Sequence, residues 1–81
     1  MARGYTERQL ASVMRASGAT SWQDALDYLA GHVDGLPDVD RSEIHAMRDD
    51  LEEMKRRGEP FTLDARMLYG TIVAIRGVRT S

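Results

Sequence analysis

The stretch DRSEIHAMRDDLEEMKRRG, from Asp40 to Gly58, carries the signals of a complete helix. Asp40 is followed three residues later by Glu43, which is the capping-box pattern of a helix start. Basic residues crowd the end of the stretch, where they suit the negative end of the helix dipole, and Gly58 follows as a stop. The pattern therefore predicts a helix over residues 41–57. Its apolar side is narrow and consists of Ile44, Met47, Leu51 and Met54.

The same signals, followed outward from this segment, predict three further helices. Thr6 and Gln9 form a second capping box, and Gly18 ends the helix that follows them. Either Thr20 or Ser21 can cap the next helix. The four predicted helices span residues 6–17, 21–34, 41–57 and 63–76. We therefore expect an all-α fold, a single compact four-helix bundle-like domain over residues 1–81.

The segment RMLYGTIVAIRG, from Arg66 to Gly77, admits two interpretations. As a helix capped by Thr62, it has a bulky apolar stripe on one side and a flatter apolar stripe on the other. The bulky stripe contains Ala65, Leu68, Ile72 and Ile75, and the flatter one contains Leu63, Met67, Gly70 and Ala74. The many β-branched residues also fit a strand over residues 67–79. That strand could pair only with another copy or another protein, because no other segment has a strand pattern, so we expect the helix.

A helix that is apolar on two opposite sides is normally buried all round. It is then either the central helix of the bundle or a helix shared with a second subunit. The chain has only 81 residues and no cysteine, and oligomerisation is a common way for such a domain to gain packing. We expect a homodimer in which the flatter stripe, Leu63, Met67, Gly70 and Ala74, forms the interface.

Charge is distributed unevenly along the chain, although the net charge is only −2. Residues 24–53 carry ten acidic residues against Arg41 and Arg48, which gives −8, whereas the segments on either side are both net positive. Such an asymmetry favours an acidic binding surface. The residues that we expect to contact a partner lie on the second and third helices and are Asp24, Asp27, Asp49, Asp50 and Glu53.

This charge pattern suggests a small non-enzymatic protein-binding module, an inhibitor or adaptor, that presents an acidic helical face to a basic protein such as a nucleic-acid-binding protein. One alternative is a small DNA-binding transcriptional regulator that uses the basic termini, with Arg3, Arg76 and Arg79. Another is a structural subunit of a larger assembly. The first two helices have a helix-turn-helix outline, but Asp24 and Asp27 would repel phosphates. We therefore do not expect nucleic acid to be the main ligand.

No pattern of catalytic or metal-binding residues stands out in the sequence. With no cysteine and two isolated histidines, His32 and His45, there is no set of zinc ligands at the usual spacing. The stretch that begins at Asp38 resembles a calcium loop only in part, because Glu43 stands where the turn glycine belongs. The longest uncharged run, residues 67–75, is too short to cross a bilayer, and the N-terminus lacks a signal-peptide pattern. We expect no enzyme activity, metal, cofactor or membrane contact, and a cytoplasmic location.

Overall fold

Four helices form the fold in the computed structural model, which describes residues 4–80 and the side chains of residues 4–77. In chain order they are α1 (Glu7–Ser17), α2 (Trp22–Ala30), α3 (Arg41–Arg57) and α4 (Ala65–Thr80). α2 packs along α3, whereas α1 packs mainly against α4 and less extensively against α2. The strand-like pairing in the described backbone is limited to one bridge between Leu36 and Val39. The prediction of an all-α, bundle-like fold is confirmed.

Capping boxes start both α1 and α3, as their sequences predict. The Thr6 hydroxyl accepts a hydrogen bond from the Gln9 backbone N–H at 3.2 Å, and the Gln9 side-chain oxygen accepts one from the Thr6 N–H at 2.9 Å. Asp40 and Glu43 repeat this exchange at 3.1 and 2.9 Å. α3 ends at Gly58, which has a left-handed backbone with a φ of 74°. The two capping boxes satisfy backbone N–H groups that a helix start would otherwise leave unpaired.

α2 begins one residue later than the predicted helix over residues 21–34 and ends four residues earlier, at Ala30. Beyond that point the backbone tightens, and the N–H of His32 donates to the carbonyl of Leu29, three residues earlier, at 3.0 Å. The change in winding takes Val33 off the apolar stripe of the helix. Its side chain is consequently 37% exposed instead of joining the core.

Asp64, rather than the predicted Thr62, caps α4. Its carboxylate accepts hydrogen bonds from the backbone N–H groups of Arg66 and Met67 at 3.1 and 3.3 Å. Thr62 instead accepts from the N–H of Asp64 at 2.9 Å, which orients the capping residue. The helix therefore begins two residues later than predicted and continues to Thr80. Of the two interpretations of residues 67–79, the helix is confirmed.

The core lies between the four helices and extends into the connection between α3 and α4. Its fully buried side chains are Leu10, Met14, Leu29, Ile44, Met47, Leu51 and Leu68. Trp22 of α2 donates its indole N–H to the carbonyl of Glu59 at 2.8 Å. The Trp22 ring also packs edge-on against Phe61, with the ring centroids 4.9 Å apart. The α3–α4 connection is thus held against α2 by both a hydrogen bond and an aromatic contact.

None of the four helices, over the part of the chain that the structure describes, combines the length and hydropathy that a bilayer-spanning helix requires.

Candidate functional site

The outer side of α3 carries three acidic residues, Asp49, Glu52 and Glu53, which we call the α3 acidic face. Asp49 and Glu52 are exposed, and within the described residues their carboxylates form no ion pair or hydrogen bond. Glu53 is half-buried, and its carboxylate forms ion pairs with Arg56 at 2.6 Å and with Arg57 at 3.0 Å. Two of the three carboxylates are therefore available to a partner, whereas the third is already engaged by neighbours on the same helix.

Asp27 of α2 faces α3 across an open groove of about 440 Å³. Its carboxylate accepts from the Gln23 side chain at 2.9 Å, and the Gln23 oxygen accepts from Lys55 of α3 at 2.5 Å. Arg48 and Glu52 also line this groove. The groove brings Asp27 close to the α3 acidic face, but the basic residues beside it offset much of the local negative charge.

Asp24 and Asp40 form hydrogen bonds with nearby residues at the starts of α2 and α3. The hydroxyl and the backbone N–H of Thr20 donate to Asp24 at 2.7 and 3.1 Å. These hydrogen bonds lower the pKa of the Asp24 carboxyl from its ordinary value. The Ser42 hydroxyl and the backbone N–H of Glu43 likewise lower the pKa of Asp40. Asp24 does not line the α2–α3 groove, so the structure does not bring it together with the other predicted residues.

Asp50 is buried, with only 7% of its surface exposed. Arg76 of α4 donates to its two carboxylate oxygens at 2.6 and 2.8 Å, and the Tyr5 hydroxyl donates to the second of these oxygens. The expectation that Asp50 belongs to a solvated acidic face is wrong. The reason is its position on the flank of the α3 apolar stripe, three residues from Met47 and four from Met54, where α4 covers it.

Arg76 is held in place by this contact with Asp50. Burial tends to lower the pKa of Arg76, but the hydrogen bond and the negative charge of Asp50 outweigh it, so the pKa is raised and the guanidinium stays charged. Its Nε atom is buried and has no hydrogen-bond partner among the described residues. Of the basic residues assigned to the DNA-binding alternative, Arg76 is thus engaged within the fold. Arg3 and the side chain of Arg79 lie outside the described residues.

α4 presents an apolar side to solvent, which we call the α4 outer face. It comprises Met67, Gly70, Val73 and Ala74 of the helix and Leu63 of the preceding connection, all of them exposed. Met67 is 62% exposed, and a Cβ added at Gly70 would have no neighbouring atom within 4 Å. The opposite side of the helix is buried through Leu68 and Ile72. The interpretation of α4 as the central helix is therefore wrong, since its flatter stripe is exposed and it packs on the core through its bulky stripe and the adjacent Tyr69.

The two histidines have different surroundings. The Nδ1 atom of His32 lies 2.8 Å from the carbonyl oxygen of Tyr28, and the two rings are 4.3 Å apart. His45 is exposed on α3 and makes no hydrogen bond or ion pair within the described residues. In the part of the chain that the structure describes, His, Asp and Glu side chains do not gather into a group of three or more that could hold a metal ion.

The candidate site therefore consists of two surfaces, the α3 acidic face and the α4 outer face. Sequence reasoning identified Asp49 and Glu53 on the first and Leu63, Met67, Gly70 and Ala74 on the second, and it missed Glu52 and Val73. Comparison of the chain with family models, with curated proteins and with solved structures found no match.

Proposed function

We propose that this protein is a small non-enzymatic protein-binding module, an inhibitor or adaptor, that presents the α3 acidic face to a basic protein partner. The observation that carries the proposal is the pair of exposed carboxylates on Asp49 and Glu52, which have no partner within the described residues. Such carboxylates can accept charge-assisted hydrogen bonds from Lys or Arg without first breaking an internal contact.

The charge of the surrounding segment supports the same proposal. Residues 24–53 remain strongly acidic even though Asp50 is paired with Arg76, because nine acidic residues then stand against Arg41 and Arg48. A surface of one sign raises the rate at which an oppositely charged protein associates, and salt screens this effect. The partner that suits the α3 acidic face is therefore one with a basic surface, including a surface that otherwise binds nucleic acid.

The test compares three charge reversals of equal size. Asp49→Lys and Glu52→Lys change the α3 acidic face, whereas Asp34→Lys changes a loop residue whose side chain is 93% exposed and whose ion pair with Arg41 is long, at 4.0 Å. A partner is captured from the native host, purified, and its association rate with each variant is measured at two salt concentrations.

We expect the two face variants to slow association by about tenfold at low salt and to weaken its salt dependence, and Asp34→Lys to have little effect. Equal slowing by all three variants would mean that only the net charge matters. Unchanged rates for Asp49→Lys and Glu52→Lys would remove the α3 acidic face from the proposal.

We further propose that the chain forms a homodimer through the α4 outer face. This proposal rests on the exposure of Leu63, Met67 and Val73, at 46%, 62% and 49%, beside two small residues. Gly70 and Ala74 leave room for a second backbone to approach closely. In a two-fold dimer the same face is used by both copies, so the exposed apolar side chains of each would be covered by the other.

Gly70→Leu tests this arrangement, because it places bulk where two helices should meet. We expect light scattering to show a dimer for the unchanged protein and a monomer for Gly70→Leu, with the helical circular dichroism signal retained. Arg8→Leu, which adds a leucine to an exposed position of α1, is the control and should remain dimeric. An unchanged protein that is monomeric at high micromolar concentration would rule out the dimer.

A further inference from the structure

A small pocket of about 150 Å³ lies between α1, α2 and the loop that precedes α3. Apolar cavities of about this volume can hold a benzene-sized group. Most of the lining is apolar, with one aromatic ring, and comes from Val13, Ala16, Tyr28, Leu36, Pro37 and Val39; Ser12 and Asp38 complete it. Apolar and aromatic side chains around a concave site are typical of pockets that receive an anchoring side chain in a protein interface.

The loop wall of this pocket is fixed by hydrogen bonds. Leu36 and Val39 exchange backbone N–H to carbonyl bonds at 2.7 and 3.1 Å, and Gln9 of α1 donates to the carbonyl of Asp38 at 2.8 Å. Gly35 takes a φ of 114°, and a Cβ there would lie 3.0 Å from the carbonyl oxygen of Val39, so the tight turn requires glycine. A ligand would meet a wall that is already ordered, which reduces the entropy lost on binding.

Three polar groups at this pocket have no partner within the described residues, and the first is the hydroxyl of Ser12. The hydroxyl of Tyr28 makes no hydrogen bond there, although its half-buried ring is held against His32. The carboxylate of Asp38 is also unpaired, since its contact with Gln9 is made by the backbone oxygen. The pocket therefore combines an apolar interior with two neutral hydroxyls and one anionic group that a ligand could engage.

We propose that this pocket is an anchor site for a segment of a basic partner protein. One aliphatic or aromatic side chain of the partner enters the pocket, and an adjacent Lys or Arg pairs with Asp38. The loop itself supplies the charge argument, because residues 31–40 contain Asp34, Asp38 and Asp40 and no Lys or Arg. The inference rests on the proposed function for the basic character of the partner, but it places the contact on a different surface from the α3 acidic face.

Three capped tripeptides serve as probes for the ¹⁵N-labelled full chain in NMR titrations: Arg-Leu-Arg, Arg-Ala-Arg and Glu-Leu-Glu. We expect Arg-Leu-Arg to shift the amide signals of Ala16, Tyr28 and Val39. Arg-Ala-Arg should bind there about tenfold more weakly, because each buried methylene changes an equilibrium constant by up to about fourfold and an open pocket buries them only in part. Glu-Leu-Glu should leave these signals unchanged.

Two substitutions in the protein test the same pocket, each with a matched control. Ala16→Leu fills the pocket and Asp38→Asn removes the charge while keeping the backbone hydrogen bonds; both should weaken Arg-Leu-Arg binding at least about tenfold. Ala30→Leu and Asp49→Asn make the same changes at exposed positions outside this loop and pocket and should bind like the unchanged protein. Circular dichroism confirms folding, and the peptide comparison on the unchanged protein does not depend on any variant.

The outcomes separate this inference from the proposed function. Shifts confined to the pocket support the anchor site and count against the α3 acidic face. Shifts confined to Asp49 and Glu52, or full binding by Ala16→Leu, overturn the anchor site and leave the α3 acidic face in place. Equal binding of all three peptides, or of none, overturns the anchor site, whereas the α3 acidic face is decided by the association rates of Asp49→Lys and Glu52→Lys.

Discussion

Replacing Asp50 with alanine should lower the free energy of unfolding by about 2–3 kcal/mol. Breaking a fully buried ion pair by removing one partner costs about 3–5 kcal/mol, because the remaining charge is left without compensation. Asp50 is 7% exposed, but the side chain of Arg76 retains 35% exposure and can partly return to water, which reduces the loss. The Tyr5 hydroxyl also loses its acceptor. For a domain of this size the expected fall in melting temperature is about 10–20 °C.

Urea unfolding followed by circular dichroism measures this loss, and Asp49→Ala is the matched control. Asp49 is the adjacent acidic residue but is exposed, so its loss should stay within about 0.5 kcal/mol. A double-mutant cycle with Arg76→Ala should give a coupling energy of about 1 kcal/mol or more. Tyr5→Phe should cost about 1 kcal/mol on its own. If Asp50→Ala is no more destabilising than Asp49→Ala, or if the cycle gives no coupling, the reasoning about a buried ion pair is refuted.

Three other substitutions test separate features of the fold. Gly70→Ala should raise the free energy of unfolding by up to about 1 kcal/mol at low micromolar concentration, because glycine is a poor helix former and the new Cβ meets no atom within 4 Å; a loss of stability would contradict the exposed placement. The lowered pKa of Asp40 means that its ionised form stabilises the fold fully above the ordinary value of 3.8, and that this contribution is lost as the pH falls through the lower folded-state value. The melting temperature of the unchanged protein should therefore drop more steeply below about pH 4 than that of Asp40→Asn, which keeps a neutral cap, and parallel curves would argue against the capping interaction. Trp22→Phe should cost about 1 kcal/mol in urea unfolding, since the carbonyl of Glu59 loses its donor, and an unchanged midpoint would show that this hydrogen bond contributes nothing.

The starts of α1, α2 and α3 were predictable because their signals are local. Thr6, Ser21 and Asp40 each accept a hydrogen bond from a backbone N–H three residues later, so the whole interaction lies within four residues of sequence. The glycines at positions 18 and 58 end α1 and α3 in the left-handed conformation, which is also a single-residue property. Features of this kind can be recognised without knowing how the helices pack.

The predictions that failed for the candidate site depend on packing between distant residues. The local pattern places Asp50, unlike Asp49, on the flank of the α3 apolar stripe, but it does not show that α4 covers this flank with Arg76, which is 26 residues away. The exposure of the α4 outer face depends on which of two apolar stripes meets the core, and the sequence offers both. Asp24 and Asp27 were assigned to one surface because both belong to the acidic segment 24–53, yet only Asp27 faces α3, since the orientation of α2 is set by its apolar contacts.

The Asp50 carboxylate has a further consequence for how the chain unfolds. It joins Tyr5 and Arg76, which lie 45 and 26 residues from it, so one side chain closes two long loops in a protein that has no cysteine. A disulfide in this position would persist in the denatured chain and restrict it, whereas these contacts vanish on unfolding and leave the denatured chain unconstrained. Because both loops share a single acceptor, they should open together rather than one after the other. The N-terminal segment and α4 are thereby coupled, and loosening either one should release the other.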